Sequence, residues 1–409
     1  MTATRLGARF RTFQAAVLGS DLADGIVKLA LPILALAISQ SVLAVTAVGV
    51  AVRAPWIVVI LPAGVLIDRH DPARIMRIAS WLRLPVVAAV CLAAAAGVLP
   101  LWCLVAAAFV VGTCGTVIDL AAQAVVPRLV DGAHLHSANA NLQTGQVVMG
   151  QFAGPALAGV LAVSAGGGMG GAALCYVLSV AALELFNRRG HVPPAPPLRR
   201  PLWTEMREGM AHFVRRRDLV GIAGIGAANN LGFAATVTVL PIWVVSSGHL
   251  AESTRVLGFV MAAPAAGALV AGPIAARLLT RFGGRAVLRT GAPLAGLCFL
   301  AVAVPDALVA CCALACYGGI AVVLNVMMVS YRQSTIAPEL FGRVNSVCRW
   351  VTLGVAPVGA ALGGVLAATA GTGVVFVAGG LLVVTAGLVL PAMLTATVQR
   401  PLVDSLEEL

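Results

Sequence analysis

Charged residues are scarce in this sequence of 409 residues: Asp, Glu, Lys and Arg together make up 11% of it, whereas hydrophobic residues make up 60%. A mean hydropathy of +0.98 describes a chain whose solvent is mostly lipid. Acidic residues are scarcer than basic ones, at 16 against 27. No stretch is polar enough to form a soluble domain, so we expect a membrane protein.

Several missing motifs argue against other functions. The sequence has no Gly-x-x-x-x-Gly-Lys-Ser/Thr loop and no His-Glu-x-x-His motif, which disfavours direct ATP drive and an intramembrane zinc enzyme. The nine cysteines lack the spacing of a zinc site and are interpreted as small apolar core residues. The six histidines fall in connections or at span borders, which argues against a buried His relay. We expect no cofactor and no metal.

The hydrophobic residues form twelve long stretches, each near the length of about 20 residues that a bilayer core requires. Their approximate bounds are 14–38, 42–66, 76–97, 101–123, 138–164, 169–187, 217–246, 254–276, 287–304, 307–331, 344–369 and 372–397. The prediction is an all-α membrane protein with twelve transmembrane helices.

Positive charge follows the connections between these stretches. Almost all of the 27 Lys and Arg residues lie in the tails, in every second connection or close to it; the exceptions are Arg255, Lys28 and Arg53. This positive-inside pattern predicts that both termini are cytoplasmic. Because the arginines are dispersed beside apolar spans, they indicate contact with an anionic leaflet and not with nucleic acid. The use of 26 Arg against one Lys hints at a GC-rich bacterial genome, and we expect the protein in the bacterial cytoplasmic membrane.

The chain divides into two similar halves. Residues 1–187 and 217–409 each hold six stretches, and residues 188–216 form a polar linker in which Leu202–Val214 can make an amphipathic helix on the inner leaflet. Pro127-Arg-Leu129 before stretch 5 corresponds to Pro338-Glu-Leu340 before stretch 11. Two pseudo-symmetric six-helix bundles are the arrangement expected of a transporter.

The connection after stretch 2 carries a recognisable motif. GVLIDRHDPARIMR, from Gly64 to Arg77, resembles the major facilitator superfamily signature Gly-x-Leu-x-Asp-Arg-x-Gly-Arg-Arg, although the second glycine is replaced in the segment from His70 to Ala73. The resemblance implies a cytoplasmic gate in which Asp68 faces the N-terminus of stretch 11, and Gly64 would allow close backbone approach. The gate residues are Gly64, Asp68, Arg69 and Arg74. The alternative is a surface loop that only sets topology.

Stretch 5 carries a second motif. Gly150, Gly154, Pro155 and Gly159 resemble the Gly-x-x-x-Gly-Pro-x-x-x-Gly motif of exporters and antiporters in this superfamily. Small residues at this spacing predict close helix packing, and the proline predicts a kink. Longer blocks around residues 122–143 and 338–364 are similar to the macrolide-efflux and enterobactin-exporter branch.

Ionisable residues inside the stretches are candidates for proton coupling. Asp21, Asp24 and Lys28 share one face of stretch 1, and Asp24 lies about 15 Å deep at about 1.5 Å per residue. Either a wet Asp24 exchanges a proton, or it is neutralised by Lys28. Asp119 in stretch 4 is the third candidate. It matches Arg83 in depth, so it either pairs with Arg83 or carries the proton itself.

Other polar groups inside the stretches cross-link helices or line a cavity. The candidates are Asn229, Asn230, Gln143, Gln146, Gln151, Asn325, Arg349 and Arg53.

The sequence as a whole indicates a monomeric secondary transporter that exports a drug-like or secondary-metabolite substrate in exchange for protons, by alternating access. The alternatives are a dedicated exporter of one endogenous product such as a siderophore or antibiotic, a lipid transporter and a proton symporter. From other classes, an intramembrane enzyme or a sensor remains open, although the missing enzyme motifs and signalling domain disfavour both.

Overall fold

The computed structural model describes residues 7–39, 41–130, 138, 141–142, 145–146, 148–161, 167–188, 202–245, 254–336 and 338–393. A few side chains inside the helices, including those of Asp68, Arg69 and Gln151, lie outside this description, as does the whole of Gln143. Every regular element in these ranges is helical, which confirms the all-α prediction.

Within the described ranges, the first part of the chain contains eight α-helices with defined bounds and one π-helical segment. They are α1 Ala8–Ile38, α2 Val42–Arg53, α3 Pro55–Val58, α4 Ile60–Arg69, α5 Pro72–Ala95, α6 Leu101–Leu129, the π segment Val148–Ala153, α7 Gly154–Leu161 and α8 Gly167–Arg188. The second part forms α9 Leu202–Arg215, α10 Arg217–Val245, α11 Thr254–Phe282, α12 Gly284–Val302, α13 Ala307–Thr335, α14 Pro338–Gly354, α15 Ala356–Ala370 and α16 Thr372–Val389, followed by a short 3-10 turn.

Nine helices within the described ranges are long and apolar enough to cross a membrane. They correspond to α5, α6, α8, α10, α11, α12, α13, α14 together with α15, and α16. The other three predicted spans correspond to α1, which carries charged residues, to the interrupted run α2–α4, and to the π segment with α7. The protein is thus a multi-pass membrane protein, and the count of twelve spans stays a prediction.

The second predicted span is broken at proline. It was expected to run unbroken from 42 to 66, but α2 ends at Arg53 and α3 begins at Pro55. Proline has no N–H and its ring clashes with the carbonyl four residues earlier, which interrupts the helical ladder. Arg53 turns back on its own helix and donates from Nη1 to the Gly49 carbonyl at 3.1 Å.

The departure from the signature after stretch 2 has a local structural role. Asp71 is the N-cap of α5, where its Oδ1 accepts from the Ala73 amide at 2.9 Å, and Pro72 occupies the first helical position. Both residues are favoured there, because the cap satisfies a free amide and proline has none to lose. The residues that replace the motif's glycine therefore start the next helix.

The chain forms two compact units. Unit 1 comprises Met1–Arg199 together with Ser253–Ala262, and unit 2 comprises Arg200–Glu252 together with Ala263–Leu409. In unit 1 a buried cluster gathers around the Phe13 and Phe186 rings, whose centroids are 5.3 Å apart. In unit 2 another buried cluster includes Phe213, Leu288 and Val344. Each unit has its own apolar core.

The linker contains the amphipathic helix that the sequence predicts. This helix, α9, packs against α14, and Phe213 on its apolar face is buried in the core of unit 2. At least part of the apolar face therefore contacts protein. The placement of α9 on the inner leaflet stays a prediction.

The sequence was interpreted as placing the cysteines in the core, and this is wrong for some of them. Cys114, Cys298 and Cys348 are buried, but Cys312 and Cys316 are exposed on α13. A thiol behaves as a small apolar group, so the outer face of a membrane helix accommodates it as readily as a core does.

Candidate functional site

The acidic residues of α1 lie where three helices meet. α1 packs against α8 along much of its length and against the π segment and α7, while α8 also packs against α5. Ser20 and Asp21 are buried on α1, and Asp24 is partly buried one turn further on. Since Asp21 and Asp24 are three residues apart, they share a face as the sequence predicts.

Arg83 of α5 is the counter-ion of Asp24. Its side chain is fully buried, and Nη1 lies 3.3 Å from Oδ1 and 3.5 Å from Oδ2 of Asp24. Nη2 donates to the Ser20 hydroxyl at 2.6 Å. A buried guanidinium held by a carboxylate and a hydroxyl is a charge-assisted arrangement that fixes all three side chains. The site thus joins α1 to α5.

Tyr176 of α8 completes this cluster. Its hydroxyl donates to Oδ1 of Asp24 at 2.5 Å, and the Cζ of Arg83 lies 3.9 Å from the centroid of its ring. The ring therefore acts as a platform over which the arginine extends to reach α1. A cation over an aromatic face gains further stabilisation when both are removed from water.

Asp21 lies in a different environment from Asp24. It is 9% exposed, and its buried Oδ2 has no hydrogen-bond donor within the described part of the chain. Asp119, Asp24, Lys28 and Arg83 all interact electrostatically with its carboxyl group. Asp24 has two donors, whereas Asp21 combines burial with an unsatisfied oxygen.

The structure changes the ion pairs that the sequence suggests. The sequence suggested Lys28 as a partner of Asp24. In the structure Lys28 is exposed, and Asp24 forms its ion pair with Arg83. Arg83 was matched to Asp119 by depth, yet its guanidinium contacts Asp24 and Ser20. Depth along the membrane normal says nothing about which helices are neighbours, and a long arginine side chain reaches across an intervening ring.

Asp119 nevertheless approaches the same cluster. Gly115 of α6 faces Asp24, since a Cβ built at Gly115 would lie 3.9 Å from Oδ2 of Asp24. Asp119 is one turn further along α6 and shares that face. The three acids predicted from the sequence are thus brought to one region of unit 1.

The glycine motif of stretch 5 packs on α1 beside the acids. A Cβ at Gly150 would lie 3.3 Å from the Asp21 carbonyl oxygen, and one at Gly154 would lie 2.6 Å from the Gly25 Cα. The hydrogen bonding changes from π to α at Gly154, just before Pro155, and the predicted kink stays a prediction. Proline removes the amide that would continue the ladder, and π segments often occur at functional sites.

The last glycine of the motif also makes a close contact within unit 1. A Cβ at Gly258, in the first turns of α11, would lie 2.9 Å from the Gly159 Cα and 3.1 Å from the Pro155 carbonyl oxygen. All three motif glycines therefore adjoin another helix at short range.

We expect Gly154→Ala to destabilise the packing of α7 on α1 by about 1–3 kcal/mol, because the new methyl group would clash with the backbone of Gly25, which cannot move away as a flexible side chain could. Thermal unfolding of the purified protein in detergent measures the effect. Gly272→Ala is the matched control, since a Cβ there meets nothing within 4 Å in the described structure. Equal unfolding temperatures for the two variants would contradict the close packing.

The gate motif is only partly visible. A Cβ at Gly64 would have no described atom within 4 Å, so the close backbone approach expected there is not found. Arg74 is exposed, and the side chains of Asp68 and Arg69 lie outside the described residues. The latch between Asp68 and stretch 11 stays a prediction.

The other predicted polar residues are dispersed. The Oδ1 of Asn229 is buried without a hydrogen-bond partner among the described residues. Asn230 donates to the Gly226 carbonyl of its own helix at 2.9 Å. Asn325 is exposed, and Gln146 and Arg349 are partly buried.

Unit 2 contains an ionic cluster that the sequence reading missed. Arg216 donates from Nε and Nη2 to the two carboxylate oxygens of Asp218, at 2.9 and 2.5 Å, and the Tyr331 hydroxyl donates to Asp218 as well. The hydrogen bonds to Asp218 raise the pKa of Arg216. Asp218 lies in the first turn of α10, where a negative charge is favoured, so the cluster fixes the start of α10 against α13.

Sequence and structure comparisons identify relatives. The major facilitator family model described as "Transmembrane secretion effector" matches residues 6–408. No curated protein matches the chain in a sequence search.

Solved transporters share the fold. A mutant of the nucleoside transporter NupG superposes with a TM-score of 0.75 at 11% identity, over 95% of this chain and 100% of that one. A POT family transporter in complex with a thioalcohol-conjugated peptide gives 0.74 at 12%, over 95% and 97%. A bacterial homologue of the iron transporter ferroportin, in an inward-facing state, gives 0.70 at 15%, over 97% and 100%. At such low identities these likenesses show the fold alone.

Proposed function

The chain belongs to the transmembrane secretion effector family of the major facilitator superfamily, and from that membership we propose that it is a secondary active exporter that exchanges protons for a drug-like or secondary-metabolite substrate. It works as a monomer in the bacterial cytoplasmic membrane, with both termini in the cytoplasm. Its substrate and protons use the same transport cycle, in which the site opens alternately to the two sides.

The observation that carries the proposal is the difference between two neighbouring carboxyl groups. Asp24 is held by Arg83 and Tyr176, whereas the buried Oδ2 of Asp21 has no donor among the described residues. Burying an ionised carboxylate oxygen without a donor is costly, and a bound proton removes that cost. We therefore assign proton transport to Asp21, whereas Asp24 neutralises the charge of Arg83.

The packing around Asp21 can couple its protonation to conformational change. Gly150 lies close to the backbone of Asp21, where a Cβ would be 3.3 Å from the Asp21 carbonyl oxygen, and the helix changes from π to α hydrogen bonding only a few residues later. A movement of the π segment against α1 alters the environment of Asp21 directly. Proton binding and helix packing are thereby coupled, as an alternating-access cycle requires.

Export is favoured over uptake by two observations. The family model is described as a secretion effector, and the Gly-Pro motif that resembles antiporters packs next to the acids. The substrate class rests on the resemblance to macrolide and siderophore exporters. The polar side chains of Asn229 and Arg349 are the first candidates for substrate contacts in unit 2.

Reconstituted flux tests the proposed function. Purified protein in liposomes that enclose a pH indicator is challenged with a panel of macrolides, siderophores and lipophilic cations. At least one compound is expected to move protons only when the protein is present, and an imposed pH gradient is expected to accumulate that compound. Compound transport that does not depend on the pH gradient would contradict proton exchange. Absence of transport for every compound class would contradict export of drug-like substrates.

A further inference from the structure

Unit 2 carries an open apolar groove between α11, α12 and α13. Its volume is about 610 Å³, within the range of about 300–1,000 Å³ typical of ligand sites. Leu278 and Phe282 line it from α11, Leu294 from α12, and Cys316 and Ile320 from α13. Leu294 and Phe282 are half exposed or more. A groove of this size and composition on a membrane protein suits a hydrocarbon chain.

Four arginines border one end of this groove. Arg277, Arg281, Arg285 and Arg289 each directly precede a residue that lines it, namely Leu278, Phe282, Ala286 and Thr290. The spacing of four places two of them a turn apart at the end of α11 and two a turn apart at the start of α12. The basic residues and the groove therefore share one end of the bundle.

Contacts of the described side chains connect this charge to the groove. The Cζ of Arg281 lies 5.6 Å from the centroid of the Phe282 ring, which itself lines the groove. Arg281 and Arg289 are exposed, and the buried Nε of Arg285 has no hydrogen-bond partner among the described residues. A negatively charged group at this rim would meet several guanidinium donors next to an apolar channel.

We propose that the groove binds one acyl chain of an anionic phospholipid, with its phosphate held by Arg281 and Arg289. The chemistry is complementary at both ends, because the lining accepts the hydrocarbon and the rim accepts the negative charge. A zwitterionic lipid offers the same chain but no net charge, so it binds more weakly. The bound lipid packs against α11, α12 and α13 and belongs to the leaflet on the side of the arginine-rich connection.

Photolabelling tests this site. The full-length protein is reconstituted in phosphatidylethanolamine vesicles with a diazirine-acyl analogue of either phosphatidylglycerol or phosphatidylcholine, and labelled peptides are mapped by mass spectrometry. The phosphatidylglycerol analogue is expected to label residues 286–294 and 316–324 more strongly than the phosphatidylcholine analogue does. Each exposed arginine near an anionic lipid contributes a factor of about 5, so the loss of two in Arg281→Gln/Arg289→Gln is expected to reduce this preference by about 25-fold.

Two further variants separate a specific site from general lipid contact. Arg215→Gln/Arg217→Gln removes the same charge from exposed positions outside the groove and is expected to keep the preference. Ala286→Trp fills the groove and is expected to reduce labelling of residues 316–324 by both analogues. Equal labelling by the two analogues, or an unchanged preference in the Arg281→Gln/Arg289→Gln variant, would overturn the proposal and leave ordinary lipid packing.

Discussion

Asp24→Asn is expected to destabilise unit 1 by about 3–5 kcal/mol, because it leaves the guanidinium of Arg83 buried without a counter-ion. Arg83 is fully buried and its contacts with Asp24 and Ser20 are all within 3.5 Å. Loss of thermal stability in detergent, followed by tryptophan fluorescence, measures the effect.

The matched control removes both charges. Asp24→Asn/Arg83→Met keeps the shape of the acid, an oxygen to accept from Tyr176, and an apolar stem on the tyrosine ring. Replacing a whole buried ion pair is often neutral, so this double variant is expected to regain most of the lost stability. If it is as unstable as Asp24→Asn alone, the cost does not come from an unpaired Arg83.

Asp21→Asn is expected to abolish uphill transport driven by a pH gradient while the protein folds normally. The amide keeps the size of the side chain and cannot exchange a proton, and no ion pair within the described residues depends on Asp21. Downhill movement of substrate is expected to continue. Proteoliposomes with an imposed gradient, loaded with the compound identified in the flux panel, measure accumulation.

Asp119→Asn and Asp21→Glu are the controls for this variant. Asp21→Glu retains a titratable group and is expected to keep some accumulation, whereas Asp119→Asn removes a neighbouring charge without removing the proposed carrier. Accumulation at the rate of the unmodified protein in Asp21→Asn would exclude Asp21 as the carrier. Loss in Asp119→Asn alone would place the proton on α6.

The fold class was accessible from the sequence because membrane helices are local features. Long apolar stretches predicted the helices, and the motifs at Gly64 and Gly150 predicted the superfamily to which the chain belongs. The shared face of Asp21 and Asp24 followed from helical spacing alone. Pro155 predicted a kink, and the structure shows a π segment, Val148–Ala153, that ends just before it.

The contacts between neighbouring helices could not be predicted from the sequence in this way. Spacing gives the depth of Arg83, but only the packing of α8 against both α1 and α5 shows why it reaches Asp24. Tyr176 was overlooked. The chain has only three tyrosines, and a tyrosine within an apolar span is a polar group that needs a partner. The contact between Asp218 and Tyr331 joins residues far apart in sequence and left no local pattern.

The central claim, that Asp21 carries the exchanged proton, is tested most directly by infrared spectroscopy of the protein in lipid films. The carbonyl band of a neutral carboxylic acid is separate from the bands of ionised carboxylates and of the backbone. We predict such a band in the unmodified protein and in Asp119→Asn, and its absence in Asp21→Asn. A band that persists unchanged in Asp21→Asn would contradict the account, because the proton would then lie on another residue.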